Sequence, residues 1–181
     1  MARLELSNSL LTIIDVQGKL AHLVYEKEML HINLQRLIKG ANILGIPILW
    51  AEQNPTGLGP TIPEIAGLLS TVKPIPKMSF SCVKCDEFAT KMASYQRKQI
   101  IIAGIETHVC VFQTVSDLLQ QGYEVHVIVD AVSSRLHINK QIALDRMRTE
   151  GATLSSTEMA LFELLRTAES ARFKEIVKIL K

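Results

Sequence analysis

Short apolar runs separated by amphipathic stretches set the rhythm of this chain. "LLTIID" (10–15), "IPILWAE" (46–52), "QIIIAGI" (99–105) and "EVHVIVDAV" (124–132) are nearly continuous apolar runs, rich in β-branched residues. Runs of that length and composition predict strands buried on both faces, as in a covered parallel sheet. "VKPIPK" (72–77) and "GATLSST" (151–157) are two shorter candidates. Between the first two runs, residues 28–44 place Leu30, Leu34, Leu37, Ile38, Ala41 and Leu44 on one helical stripe. Gly45-Ile46-Pro47 stops that helix and starts the next strand. Residues 107–121 gather Val111, Val115, Leu118 and Leu119 on one face and end at Gly122; residues 139–150 end at Gly151 in the same way. Two more helices are predicted near 157–166 and 170–180.

The order is βαβ, repeated. It predicts a single three-layer α/β domain over residues 1–181, with right-handed crossovers. In such sheets ligands bind beyond the carboxyl ends of the strands, where the strand order reverses. The residues just after each run therefore carry the chemical interest. The stretch "NPTGLGPTIP" (54–63) is the one turn-rich excursion, placed over those strand ends.

Composition narrows the function classes. Hydrophobic residues are 48% and charged residues 21%, as in an ordinary globular protein. The net charge of +2 is scattered, with no basic block to suggest nucleic acid. No apolar stretch approaches the ~20 residues of a membrane span, and the N-terminal apolar run is too interrupted for a signal peptide. A cytoplasmic protein without nucleic-acid or membrane partners is expected. Three cysteines make a disulfide framework a poor explanation and leave Cys82, Cys85 and Cys110 as free thiols.

Three strand ends hold candidate chemistry. Asp15 closes the first run, as a base or as a turn residue. Lys77 follows "PIP", as a buried cation or a solvated one. Cys110 falls in the first turn of a helix, where the helix dipole and free N–H groups lower a thiol pKa; the alternative is a small core residue. A cysteine nucleophile needs a base for its proton and a cation or donors for the anionic intermediate. Asp15, Lys77 and the turn before Cys110 supply that set. Gln17, Leu20, Trp50, Phe80 and His108 are candidate pocket-lining residues. The chain has no G-x-S-x-G elbow, no G-x-G-x-x-G after its first strand and no phosphate loop. "CVKC" (82–85) reads as two unrelated surface cysteines, a redox pair or half of a zinc site, and no further ligands stand at zinc spacing. The five histidines show no metal spacing; His126 lies in a strand pattern and reads as packed.

In five ordered pieces the chain resembles the isochorismatase-like cysteine hydrolases, the group that includes nicotinamidases and N-carbamoylsarcosine amidohydrolase. The pieces are "LLTIIDVQ", "PKMSFS", "IIIAGIETHVCV", "VIVDAVSSR" and "ALDRMRTEGATLSSTE". "AEQNPTGLGPTIPE" is most similar to the branch of small isochorismatase-domain proteins. The resemblance implies a six-stranded parallel sheet of order 3-2-1-4-5-6 and a catalytic triad of Asp15, Lys77 and Cys110. It also implies a cis peptide at Ile105–Glu106 and an oxyanion hole from the backbone N–H groups of Glu106 and Cys110. A small-molecule substrate, no cofactor and a homo-oligomer go with it.

Two departures are informative. Nicotinamidases carry an Asp-x-His and a further histidine for a metal; the matching stretch here, "WAEQNPTG", has no histidine, so neither metal nor nicotinamide carries over. Glu106 stands where the amidases have a small residue, and a carboxylate beside a thiolate raises the thiol pKa. Arg135 is the candidate partner that draws the Glu106 side chain away. Three functions compete: C–N hydrolysis of a small amide through Cys110, a catalytically weak scaffold on the same fold, and a redox protein using Cys82 and Cys85.

Overall fold

The computed structural model describes residues 3–181. Six strands, β1 (Ser9–Ile14), β2 (Ile48–Gln53), β3 (Ile75–Lys77), β4 (Gln99–Ile105), β5 (Glu124–Ser133) and β6 (Thr153–Ser155), form one parallel sheet of order β3-β2-β1-β4-β5-β6. The eight α-helices among the described residues are α1 (Lys27–Leu44), α2 (Pro55–Leu58), α3 (Pro63–Ala66), α4 (Asp86–Ser94), α5 (Phe112–Gln120), α6 (His137–Thr149), α7 (Thr157–Leu165) and α8 (Phe173–Leu180).

Strand parity sorts the apolar side chains into two cores. Leu11 and Ile13 of β1 and Ile101, Ala103 and Ile105 of β4 face α1, α7 and α8. Leu10 and Ile14 of β1, with Ile100 and Ile102 of β4, face α4, α5 and α6. Every residue of β1 and β4 is buried, which is why these runs show no polar alternation. Hydrophobic burial of this kind contributes roughly 25 cal/mol per Å² and dominates the fold.

The strand order reverses between β1 and β4, and β4 approaches β1 very closely there. Gly104 has φ +124°, and a Cβ on it would collide with the Ile14 carbonyl group. Only glycine fits both the conformation and the space. The β4–β5 register shifts at the same place, between Ile102 and Gly104. The end of β4 is thus bent at the switch point, directly before the segment that carries Cys110.

The helix after β4 begins differently from the predicted one. Thr107–Val111 is a π turn, with the Val111 N–H reaching back to the Glu106 carbonyl at 3.3 Å, and α5 starts only at Phe112. Single π turns of this kind recur at functional sites. Helix α4 was absent from the predicted elements. Only Phe88 and Met92 of its nine residues are buried, too few to mark an amphipathic stripe.

Candidate active site

Asp15 follows β1 with φ 52°. That left-handed conformation is uncommon for a residue with a side chain, tolerated best by aspartate and asparagine, and concentrated at functional positions. Lys77 ends β3 and stands in register with Gln53 of β2. Cys110 sits in the π turn after β4. The three come together although they lie on three different strand ends. All are buried, with Asp15 at 2%, Lys77 at 3% and Cys110 at 7% exposure.

The Lys77 ammonium is the hub. It donates to Asp15 Oδ2 at 2.8 Å, Gln53 Oε1 at 2.7 Å, the Phe80 carbonyl at 3.1 Å and the Ser79 carbonyl at 3.2 Å. Four acceptors surround three protons, so Lys77 has no donor to spare. It acts on any reacting anion through its charge, not through a hydrogen bond of its own. Burial opposes that charge, but its interactions with Cys82, Asp15 and Cys110 more than compensate and hold its pKa above the usual lysine range.

Asp15 uses one oxygen on Lys77. Its other oxygen, Oδ1, is buried and makes no hydrogen bond to any described residue. Burial raises its pKa, and Lys77 only partly offsets this. A buried carboxylate with one free oxygen and a raised proton affinity suits a general base.

The Cys110 thiol lies 3.9 Å from Gln53 Oε1, within donor range for sulfur. Burial first, then the Asp15 charge, push its pKa above the ordinary thiol value. This corrects the expectation of a thiol depressed by a helix N-terminus. The π turn places Cys110 ahead of α5, among apolar side chains, where burial disfavours the thiolate. A thiol raised in this way depends on a base to become a nucleophile.

Gln53 was missed by the sequence reading. Its Oε1 stands between Lys77 and Cys110, while its Nε2 donates to the Met78 carbonyl at 2.9 Å, which fixes the direction of the amide. Gln17 does not line an accessible wall. It is fully buried and braces Gln53: Oε1 accepts the Gln53 N–H at 2.7 Å, and Nε2 donates to the carbonyls of Gln53 and Gly59. Trp50 is also corrected. Its parity in β2 turns it into the α1-side core, where its indole N–H donates to the Val72 carbonyl. Leu20 packs against that same core. Phe80 contributes its carbonyl to Lys77, and its ring is exposed. His108, within the turn that carries Cys110, is half-buried and tied through Nδ1 to Ser134 Oγ at 3.0 Å.

The Ile105–Glu106 peptide is cis. The Glu106 carboxylate is held by Arg135. Arg135 donates to it through its backbone N–H at 3.1 Å, Nε at 3.0 Å and a terminal nitrogen at 3.3 Å. Among the described residues no group of three or more histidine, cysteine, aspartate or glutamate side chains is arranged to hold a metal, and no helix is long and apolar enough to cross a membrane. A cavity of about 710 Å³ opens between residues 71–75 and α4, and none of the three central residues lines it.

A parallel sheet of order 3-2-1-4-5-6, with flanking helices on both faces, is the fold of the isochorismatase-like hydrolases. The chain belongs to the isochorismatase domain family, whose model matches residues 9–159. Isochorismatase domain-containing protein 2 of Bos taurus is 38% identical over 174 residues, 96% of this chain and 83% of the relative. The structure of the MAR1 ribonuclease from Caenorhabditis elegans superimposes with a TM-score of 0.92 at 38% identity, covering 99% of this chain and 92% of that one. The YcaC gene product of Escherichia coli, described as an octameric hydrolase of unknown specificity, has a TM-score of 0.90 at 26% identity, covering 99% of this chain and 88% of its own.

Proposed function

We propose that this protein is a cysteine hydrolase that cleaves the C–N bond of a small amide. The observation that carries the reading is the meeting of a thiol, a lysine and a carboxylate with one free oxygen in one buried site. Asp15 Oδ1 takes the Cys110 proton as sulfur attacks the carbonyl carbon. The tetrahedral oxyanion is received by the backbone N–H groups of Glu106 and Cys110, in the field of Lys77. Asp15 returns the proton to the departing nitrogen. Water, deprotonated by Asp15, then releases the acid from the thioester and the thiol is restored.

The elevated thiol pKa agrees with this division of labour, because a thiol that is not pre-ionised depends on its base. Glu106 remains compatible with it, since Arg135 absorbs the carboxylate. The exposed Leu23, Tyr25, Met29, Leu136 and Ile138 at the same end of the sheet suit a homo-oligomer, the state given for the E. coli neighbour. Three free thiols suit a reducing cytoplasm.

A second reading is cleavage of RNA, favoured by the ribonuclease among the neighbours. The two separate in one experiment. Ammonia release is followed over a panel of small primary amides and ureas, and strand scission over a labelled RNA, each with Cys110→Ala as control. Turnover of at least one amide that disappears in Cys110→Ala is the expected result. RNA cleavage with no amide turned over supports the second reading, and neither activity supports a scaffold.

A further inference from the structure

Cys82 and Cys85 have no part in the proposed hydrolysis, yet both lie beside its site. Cys82 is fully buried, and Cys85 is partly exposed. The Cys82 N–H donates to Thr114 Oγ1 at 3.0 Å, and that hydroxyl donates to the Cys110 carbonyl at 2.7 Å. Cys82 and the nucleophile turn thus hang on one oxygen atom. The Cys85 N–H donates to the Cys82 carbonyl at 3.1 Å and closes a single turn. Residues i and i+3 of such a turn have Cα atoms within about 7 Å, close to the roughly 4.4–6.8 Å that a disulfide spans. The Cys82 thiol is raised by burial first, and the nearby Cys85 adds to that shift.

The surroundings give the pair an entrance and a readout. Cys85 lines an open cavity of about 320 Å³ with Asn54, Lys77, Ser79 and Lys84, and Lys84 is exposed at its rim. Cys85 is open to that cavity, whereas Cys82 is fully buried and does not line it. The segment between Lys77 and Cys82 provides the Ser79 and Phe80 carbonyls that hold the Lys77 ammonium. A change of geometry at Cys82 therefore reaches Lys77 through this segment and Cys110 through Thr114.

We infer that Cys82 and Cys85 are a dithiol–disulfide pair, oxidised from the Cys85 side by a small disulfide, and that its closure alters the reactivity of Cys110. The Cys85 thiolate attacks one sulfur of the small disulfide. A Cys85 mixed disulfide forms, and one small thiolate leaves and takes up the proton Cys85 has lost. Cys82 then attacks the Cys85 sulfur, and its proton passes to the departing small thiolate. The intrachain bond forms, the second small thiolate leaves, and it is protonated. One small disulfide is reduced to two thiols as two protein thiols are oxidised. Burial pushes the Cys82 thiol up to about 12, so the second step is the slow one. The effect on catalysis rests on the reading of Cys110 as nucleophile; the disulfide itself does not.

The test equilibrates the full chain with glutathione and glutathione disulfide at increasing oxidised fraction, with acid quenching and peptide mapping. A Cys82–Cys85 disulfide is expected to rise from near zero to near completion, with Cys110 still a thiol. Cys110 alkylation by iodoacetamide is expected to change at least threefold in step. Cys82→Ala stops at glutathione on Cys85, and Cys85→Ser takes up no glutathione. Absence of the 82–85 disulfide at the oxidised end, or its formation with Cys110 alkylation unchanged, overturns the inference. None of these readouts needs amide turnover, so failure of the hydrolase reading is recorded separately.

Discussion

Two ion pairs stand at the carboxyl end of the sheet, and their construction differs. In Asp15–Lys77 the side chains are 3% and 0% exposed, and one carboxylate oxygen has no hydrogen bond among the described residues. In Glu106–Arg135 the arginine side chain is 58% exposed, and both carboxylate oxygens are occupied. The first pair keeps an acceptor in reserve beside a thiol. The second uses up a carboxylate that would otherwise repel a thiolate or an anionic intermediate. Two acidic residues near one cysteine thus do opposite work, and their partners decide which.

Replacing the nucleophile is the largest perturbation. Cys110→Ala is expected to lower amide turnover to background, a loss on the order of 10⁶ by analogy with other covalent triads, with the circular dichroism spectrum retained. Residual turnover within tenfold of wild type places the chemistry elsewhere.

Lys77→Met breaks the buried pair from one side. Removing one partner from a buried pair costs about 3–5 kcal/mol, to be read by urea unfolding. The sign of its pH dependence follows from the two shifts. The raised Lys77 pKa stabilises the wild type fully below the ordinary lysine range, and that stabilisation is lost as pH rises through the folded value, above 10.5. The raised Asp15 pKa contributes stability that is fully present below 3.8 and lost as pH rises through its folded value. Without the lysine the Asp15 pKa rises further. The Lys77→Met protein is therefore expected to lose stability from acid to neutral pH and to lack the alkaline loss of the wild type. An equal deficit at pH 4 and pH 8 contradicts the pairing.

Gln53 tests the join between the two halves of the site. Gln53→Ala removes the acceptor that favours the protonated thiol, so the Cys110 alkylation profile is expected to move to lower pH. Gln53→Glu adds an anion beside the thiol and should move the alkylation profile to higher pH. A general loss of stability with an unchanged profile reduces Gln53 to a structural role. At the rim, Arg135→Ala should cost less than about 1 kcal/mol, because an exposed cation is screened by solvent. Its effect on turnover should be a few-fold, with partial recovery in Arg135→Lys.

Much of this comparison was legible from the chain. The continuous runs ending at Asp15 and Ile105 located two strand ends. The acid–lysine–thiol set followed from what a cysteine nucleophile requires, and Arg135 was one candidate partner for Glu106, which the structure pairs with it. Other features depend on three-dimensional parity and packing. Trp50 and Gln53 lie three residues apart and face opposite sides of the sheet, so the aromatic belongs to a core and the amide to the site. No periodic signal distinguishes a glutamine at a strand end from a loop glutamine. The direction of the Cys110 shift was misread because proximity to a helix start was weighed without burial. A π turn leaves the same stripe of Val111, Val115 and Leu118 as an α-helix, so it too is silent in the sequence.

The central claim is that Asp15 deprotonates Cys110. Asp15→Asn tests it by sign, through the rate of iodoacetamide modification at Cys110 followed by peptide mapping at pH 7.5. If Asp15 is the base, the substitution slows modification, by on the order of 10²-fold or more given what general bases contribute. If Asp15 is only a neighbouring negative charge, its removal lowers the thiol pKa and modification becomes faster. Slower modification in Asp15→Asn is the expected result, and an equal or faster rate contradicts the account.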